Sequence, residues 1–229
     1  LDPNGIYWSL ALEEQFYLLF PLFLLVVAPA WRWRVLLLCI VIQFPIDRNP
    51  FGTPFSTYAA FFRLDALMWG ILIFLFTRSP QYRLFEPTFL RKAPLRTLLI
   101  NLLLLYLLGA IAGQMIAMPI AVGLIAIVAA LIVLLASYDA GYIYRIPGID
   151  STLVWLGARS YAIYLIHIPV YRFCFEAWTR HATEVGHPLD GTYTVRLLLA
   201  AIVLTLILAE LNFRFVETPL RRRGAAIAA

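Results

Sequence analysis

Two adjacent carboxylates, Glu13 and Glu14, stand near the start of the first long apolar stretch of the sequence. The segment from Trp8 to Tyr17 reads WSLALEEQFY, which places both acids at the mouth of a predicted hydrophobic helix. Acids there can complement the helix dipole, and Trp and Tyr are common at membrane interfaces. Because successive helical residues point about 100° apart, at least one acid is also expected to face neighbouring helices, where it could act as an acid or base.

A second charged group, Arg63 and Asp65, lies inside an apolar run. A charge within a membrane costs at least ~2.5 kcal/mol and is normally paired or turned toward a wet interior. On a helix, residues two apart do not share a face, so each charge is expected to have a partner elsewhere. We predict that Arg63 meets Glu13 or Glu14; a structural ion pair and binding of substrate or phosphate by Arg63 both remain open.

A third group consists of Ser160, Tyr164 and His167, whose spacings of four and three residues align them on one face of a helix. Pro169 removes a backbone hydrogen bond from the same helix, so a kink beside His167 is expected. A histidine aligned with other polar groups on one helix face is either a packing residue with its hydrogen bonds satisfied or a functional residue.

Several familiar signatures are absent from the sequence. Cys39 and Cys174 show neither CxxC nor Cys/His spacing, so no metal site and no disulfide framework are predicted. The motifs GxSxG, HExxH and GxGxxG and the P-loop do not occur. The basic residues lie between apolar runs rather than on one aromatic-rich surface, which argues against a nucleic-acid partner.

The elements that must position these groups are predicted to be transmembrane helices. Of 229 residues, 62% are hydrophobic and 14% charged, and the mean hydropathy is +0.84, so the lipid bilayer is the expected solvent. We predict an all-α, polytopic transmembrane bundle forming a single membrane domain over residues 1–229. Its spans are expected at about 12–30, 33–46, 58–77, 96–113, 116–136, 152–176 and 196–214. Thr97 to Tyr138 carries no charge and must hold two spans, with a turn at Gly113, Gln114 and Pro119.

The distribution of Lys and Arg predicts the orientation of these spans, because positively charged loops remain cytoplasmic. Twelve basic residues fall on one side: Arg32, Arg34, Arg78, Arg83, Arg91, Lys92, Arg96, Arg145, Arg214, Arg221, Arg222 and Arg223. Four fall on the other: Arg48, Arg172, Arg180 and Arg196. We therefore expect a multi-pass protein of the plasma or inner membrane, with residues 1–12 exterior and the C-terminus cytoplasmic.

Four segments, in this order, resemble the acyltransferase 3 family of membrane acyltransferases. They are Trp8 to Tyr17, which is similar to the family's SxxxEEQFY box; Arg63 to Leu67 with Gly70; Ser160 to Pro169; and Glu217 to Arg221. The resemblance implies transfer of an acyl group, typically acetyl from acetyl-CoA, to a hydroxyl of a carbohydrate or glycolipid, with donor and acceptor on opposite sides of the membrane. It implies no bound cofactor.

The resemblance also implies roles for particular residues. Glu13, Glu14 and His167 are the expected catalytic residues, and the expected substrate-binding residues are Ser9, Tyr17, Arg63, Asp65 and Tyr164. Family members begin with further helices that carry an Arg and a His considered central to catalysis, so this chain is expected to be the C-terminal two-thirds. Two other interpretations remain open: a transporter or flippase, in which the charged groups form a path, and a non-catalytic membrane fragment.

Overall fold

The computed structural model describes residues 8–48, 54–59, 63–146, 148–185 and 191–228, and this part of the chain contains helices and turns but no strand. The helical class predicted from the sequence is therefore confirmed. The chain divides into two compact units, Leu1–Arg145 and Ile146–Ala229.

The first unit contains seven of the α-helices in the described residues. They are α1 (Trp8–Val26), α2 (Arg32–Gln43), α3 (Pro54–Ala59), α4 (Asp65–Thr77), α5 (Gln81–Leu84), α6 (Pro94–Gly113) and α7 (Ala121–Ser137). Short 3-10 turns lie at Pro29–Trp31 and Thr88–Leu90. Helix α4 packs against α2 and α7, and α6 packs against α7. A close approach occurs at Gly123, where an added Cβ would lie 2.6 Å from the Phe44 ring.

A sharp bend separates α1 from α2. The segment from Ala11 to Val26 meets the segment from Pro29 to Gln43 at 118°. Arg32 stabilises the bend, because its Nε donates to the Val27 carbonyl oxygen at 3.1 Å and its Nη2 to the Leu24 carbonyl oxygen at 2.9 Å. These bonds satisfy carbonyl groups that the end of a helix leaves without intrahelical partners.

Two further predictions about the first unit have different outcomes. The expected turn is confirmed, since α6 ends at Gly113 and α7 begins at Ala121. The single helix expected over 58–77 is wrong, because α3 ends at Ala59, Arg63 is not helical and α4 begins only at Asp65. An apolar run fixes the hydrophobicity of a segment but not the continuity of its helix.

The second unit contains α8 (Asp150–Ala158), α9 (Ser160–Val185), α10 (Gly191–Asn212), a π-helical turn at Phe213–Glu217 and α11 (Thr218–Ala228). Its core lies between α9 and α10, where Val170, Cys174, Leu197 and Ala201 are buried together. Helix α9 continues through Pro169, and the kink expected beside this residue stays a prediction. A change of direction of 73° lies between α8 and α9, at Arg159.

Among the described residues, two helical segments are long and apolar enough to cross a membrane, Pro94–Gly113 and Thr194–Ile227. The number rises to four if each of the two bent pairs forms one span, and α4 and α7 are shorter apolar helices. The seven-span arrangement predicted from the sequence is not confirmed by these lengths.

Candidate functional site

The acidic motif lies on α1, where the two carboxylates differ in exposure. Glu13 is half-buried beside the buried Leu12, whereas Glu14 is exposed and Tyr17 is 67% exposed. Ser9 belongs to the same helix, but its side chain lies outside the described part of the structure. Glu13 is therefore the more enclosed of the two carboxylates. This difference is expected because adjacent residues of a helix point in different directions.

Asp65 has a buried ionic partner that lies in the segment after α2. Arg48 Nη2 donates to Asp65 Oδ2 at 2.9 Å, and the two side chains are only 1% and 4% exposed. Arg48 Nη1 also donates to Gln43 Oε1 at 3.3 Å. The expectation that Asp65 is paired with a distant charge is confirmed, but Arg48 was expected to be an exterior loop charge and is instead part of the buried interior.

Arg63 lies next to this buried pair. It is half-buried, precedes the first turn of α4, and experiences the charges of both Asp65 and Arg48. Arg63 and Asp65 were expected on different faces of one helix. Arg63 and Leu64 are not helical, so the two residues do not have that relation. The contact of Arg63 with Glu13 or Glu14 stays a prediction.

In the second unit, Tyr164 and His167 are in contact on α9. Their ring centroids are 5.7 Å apart, and His167 Nδ1 lies 2.6 Å from the Tyr164 carbonyl oxygen. Since a carbonyl can only accept, Nδ1 carries the hydrogen and Nε2 is the acceptor in the neutral ring. His167 also lines an apolar cavity of about 400 Å³ between α9 and α10, together with Tyr171 and Thr205.

The sequence reasoning missed a second ion-pair network, which lies at the bend between α8 and α9. Arg159 donates from Nε to Glu210 Oε2 and from Nη2 to Glu210 Oε1, the latter at 3.1 Å. Its guanidinium carbon lies 4.4 Å from the Trp155 ring centroid and 4.5 Å from that of Phe213. Arg214 bonds to the same carboxylate. The rule that charges in apolar segments require partners could have suggested Arg159 with Glu210.

A tyrosine cluster connects the segment after α7 with the region around α5. Tyr142 donates from its hydroxyl to Glu86 Oε1 at 2.6 Å, and Tyr138 stacks on Tyr82 with ring centroids 4.2 Å apart. The hydrogen bond to Glu86 raises the pKa of Tyr142, because the carboxylate stabilises the protonated phenol. None of the predicted site residues takes part in these contacts.

The residues predicted to do chemistry thus fall into separate groups. In the first unit, Asp65 is brought to Arg48 and lies near Arg63, while Glu13, Glu14 and Tyr17 lie on α1. In the second unit, Tyr164 and His167 share α9. Across the described ranges there is no group of three or more His, Cys, Asp or Glu residues that could hold a metal ion.

Comparison with known proteins supplies further evidence. Residues 1–210 match the sequence profile of the acyltransferase 3 family, described as an acyltransferase domain. No solved structure matches the chain.

Three curated relatives illustrate the similarity. Peptidoglycan O-acetyltransferase OatA of Listeria monocytogenes is 32% identical over 95% of this chain and 35% of its own length. Putative peptidoglycan O-acetyltransferase YrhL of Bacillus subtilis is 28% identical, covering 95% of this chain and 34% of its own. O-acetyltransferase OatA of Staphylococcus aureus is 27% identical, covering 98% and 37%. The chain thus spans about a third of the length of these relatives.

Proposed function

The chain belongs to the acyltransferase 3 family, and from this membership we propose that it transfers an acyl group, acetyl, from acyl-CoA to a hydroxyl of a cell-envelope carbohydrate or glycolipid. The observation that carries the proposal is the family match over residues 1–210, which includes the acidic motif of α1, Arg63 and His167. The names of the relatives, peptidoglycan O-acetyltransferases, support a carbohydrate acceptor.

In the proposed reaction, the acceptor hydroxyl oxygen attacks the carbonyl carbon of the acyl thioester. A base removes the hydroxyl proton, the carbonyl oxygen becomes an oxyanion, and the carbon–sulfur bond breaks to release a thiolate that takes up a proton. General base catalysis and oxyanion stabilisation are the two contributions that such a reaction needs from a protein.

We assign these contributions to residues by their exposure and charge. Glu13 is proposed to accept the hydroxyl proton, because it is the more enclosed carboxylate of α1. Glu14, Ser9 and Tyr17 are proposed to orient the acceptor. Arg63 is proposed to stabilise an anionic group. In the second unit, His167 and Tyr164 are proposed to line a substrate passage within that unit; the cavity of about 400 Å³ beside His167 supports this role.

The role proposed for Asp65 differs from the substrate-binding role expected from the resemblance. Its carboxylate is enclosed and bonded to Arg48, so we propose that it positions the start of α4 and thereby Arg63.

The proposed setting is a plasma or inner membrane, with seven spans, residues 1–12 exterior and the C-terminus cytoplasmic. The asymmetry of Lys and Arg supports this orientation.

The direct test uses membranes that contain the full-length protein, supplied with labelled acetyl-CoA and with peptidoglycan fragments as acceptor. We expect an alkali-labile ester of the label on the carbohydrate. Membranes without the protein are the control. An ester yield equal to that control, with folded protein present, would contradict the proposed function.

A further inference from the structure

A cavity of about 630 Å³ lies in the first unit between the start of α2, the C-terminal half of α4 and the region of α5, and none of the predicted site residues lines it. Its walls combine three aromatic rings with two polar side chains and aliphatic groups; they include Trp33, Phe76, Phe85, Ser79, Gln81 and Leu72. Cavities of roughly 300 to 1,000 Å³ with apolar walls and a few polar groups are typical of small-ligand sites. None of these residues has a role in the proposed transfer reaction.

The chain segments that contribute wall residues to this cavity belong to strongly basic stretches of the sequence. Residues 27–34 and 78–96 contain Arg32, Arg34, Arg78, Arg83, Arg91, Lys92 and Arg96 but a single acid, Glu86. We call these seven residues the basic cluster. Glu86 is itself bonded to the Tyr142 hydroxyl and lies 3.6 Å from Arg91. The surroundings of the cavity therefore favour an anionic ligand.

Two members of the basic cluster adjoin the cavity walls, Arg34 by a ring contact and Arg78 by its place in the chain. The Arg34 guanidinium carbon lies 5.2 Å from the ring centroid of Trp33, a wall residue. The Arg78 guanidinium carbon lies 4.3 Å from the Phe74 ring centroid, and Arg78 directly precedes the wall residue Ser79. Both arginines are exposed, whereas Arg32 is bonded to the carbonyl groups at the end of α1. Arg34 and Arg78 are thus exposed cations beside the cavity walls, available to an anionic ligand.

We infer that this cavity binds a phosphate-bearing ligand that carries a flat or apolar group, with that group among Trp33, Phe76 and Phe85 and the phosphate near Arg34 and Arg78. Arginine suits this task because its planar guanidinium forms paired, charge-assisted hydrogen bonds with phosphate oxygens. Two sources have this chemistry: the nucleotide portion of a coenzyme, and an anionic phospholipid. Binding of a coenzyme nucleotide rests on the proposed function, in which acyl-CoA is the donor. Binding of an anionic phospholipid does not depend on that proposal.

The test measures binding to the full-length protein in phosphatidylcholine nanodiscs and requires no turnover. One arm titrates free coenzyme A by calorimetry; the other measures retention of phosphatidylglycerol by native mass spectrometry. Each is repeated with Arg34→Gln and Phe85→Ala, both at exposed side chains, and with Arg222→Gln as a control that removes an equal charge from α11. Gln81→Trp, which fills the cavity, provides an independent variant.

Saturable binding of coenzyme A would identify the ligand as a coenzyme nucleotide. Selective retention of phosphatidylglycerol would identify it as an anionic phospholipid. In either case we expect Arg34→Gln and Phe85→Ala each to weaken binding about tenfold, Gln81→Trp to abolish it, and Arg222→Gln to change it by less than about twofold. Absence of binding by both probes, or binding equally strong in the three cavity variants, would overturn the inference. A protein that binds a probe in this way but transfers no acyl group contradicts only the proposed function.

Discussion

The buried pair of Arg48 and Asp65 is the most enclosed charged group in the described part of the chain. Desolvating two charges is costly, and the remaining hydrogen-bonding groups of a buried pair must also be satisfied. Gln43 satisfies one guanidinium nitrogen, but Arg48 Nε has no hydrogen-bond partner among the described residues. The pair therefore adds less to stability than its 2.9 Å contact suggests, while the loss of either partner would leave the other buried charge without its hydrogen-bonded counter-ion.

The pair stabilises the fold little, but losing one partner is costly, and this difference gives a prediction for two substitutions. Asp65→Leu and Arg48→Met should each lower the free energy of unfolding by about 3 to 5 kcal/mol, whereas the double variant should recover most of the loss. Thermal unfolding of the purified protein in detergent measures all three. The exposed pair of Arg180 and Glu176 provides the control, since Glu176→Leu should have little effect. Single variants as stable as Glu176→Leu would show that the pair is not buried in the folded protein.

The sequence predicted the need for this pair but not its second member. Asp65 stands inside an apolar run, so the cost of an isolated charge demands a partner. Arg48 stands in the polar segment DRN between apolar runs, where a loop position is the ordinary expectation. Its burial results from the packing of the segment after α2 against the start of α4, which hydropathy does not encode. For the same reason, the sequence could not distinguish the half-buried Glu13 from the exposed Glu14.

At the scale of helices, the sequence predicted where most apolar helices lie but not where they change direction. Helix α6 and the turn after it agree with the prediction, because Gly113 and Pro119 are turn-forming residues within a long uncharged run. The bends are fixed by side-chain contacts instead: Arg32 binds the end of α1, and Arg159 connects the start of α9 to Glu210. Pro169 lies inside α9 without ending it, which is compatible with the kink expected at a proline.

Arg159 offers a test of how the bend between α8 and α9 is held. Arg159→Lys keeps the charge but removes the planar guanidinium group, which bonds Glu210 through two nitrogen atoms and stacks on Trp155 and Phe213. We expect the melting temperature to fall by roughly 4 °C or more. Arg214→Lys is a matched control, because Arg214 bonds to the same Glu210 but is largely exposed; it should change the melting temperature much less. Equal effects of the two variants would contradict a special role for Arg159.

At the scale of the whole molecule, the orientation in the membrane is the prediction with the widest consequences. After replacement of Cys39 and Cys174 by alanine, a cysteine at Gly5 should react with an impermeant thiol reagent added to intact cells. A cysteine at Ala226 should react only after permeabilisation, because basic segments remain cytoplasmic. Labelling of both positions from the same side would exclude seven spans, or any odd number between them.

The central claim is that a carboxylate of α1 takes part in acyl transfer, and the most direct measurement is acceptor acylation per folded molecule in Glu13 and Glu14 variants of the full-length protein. Glu13→Gln removes the charge with little change of shape. If Glu13 is the base, the rate should fall by ~10² to 10⁴-fold, with smaller loss for Glu14→Gln and none for Glu176→Gln.

A purely structural role predicts a different result. Helix α1 begins at Trp8, so both acids lie beyond its first turn, and even within that turn helix-terminus electrostatics are worth only about 1 kcal/mol or less. Removal of these charges would then reduce abundance slightly and leave the activity of each folded molecule nearly normal. We predict that Glu13→Gln inserts into the membrane like the unaltered protein and loses acyl transfer. Near-normal acylation per folded molecule in Glu13→Gln, Glu14→Gln and the double variant would contradict the account.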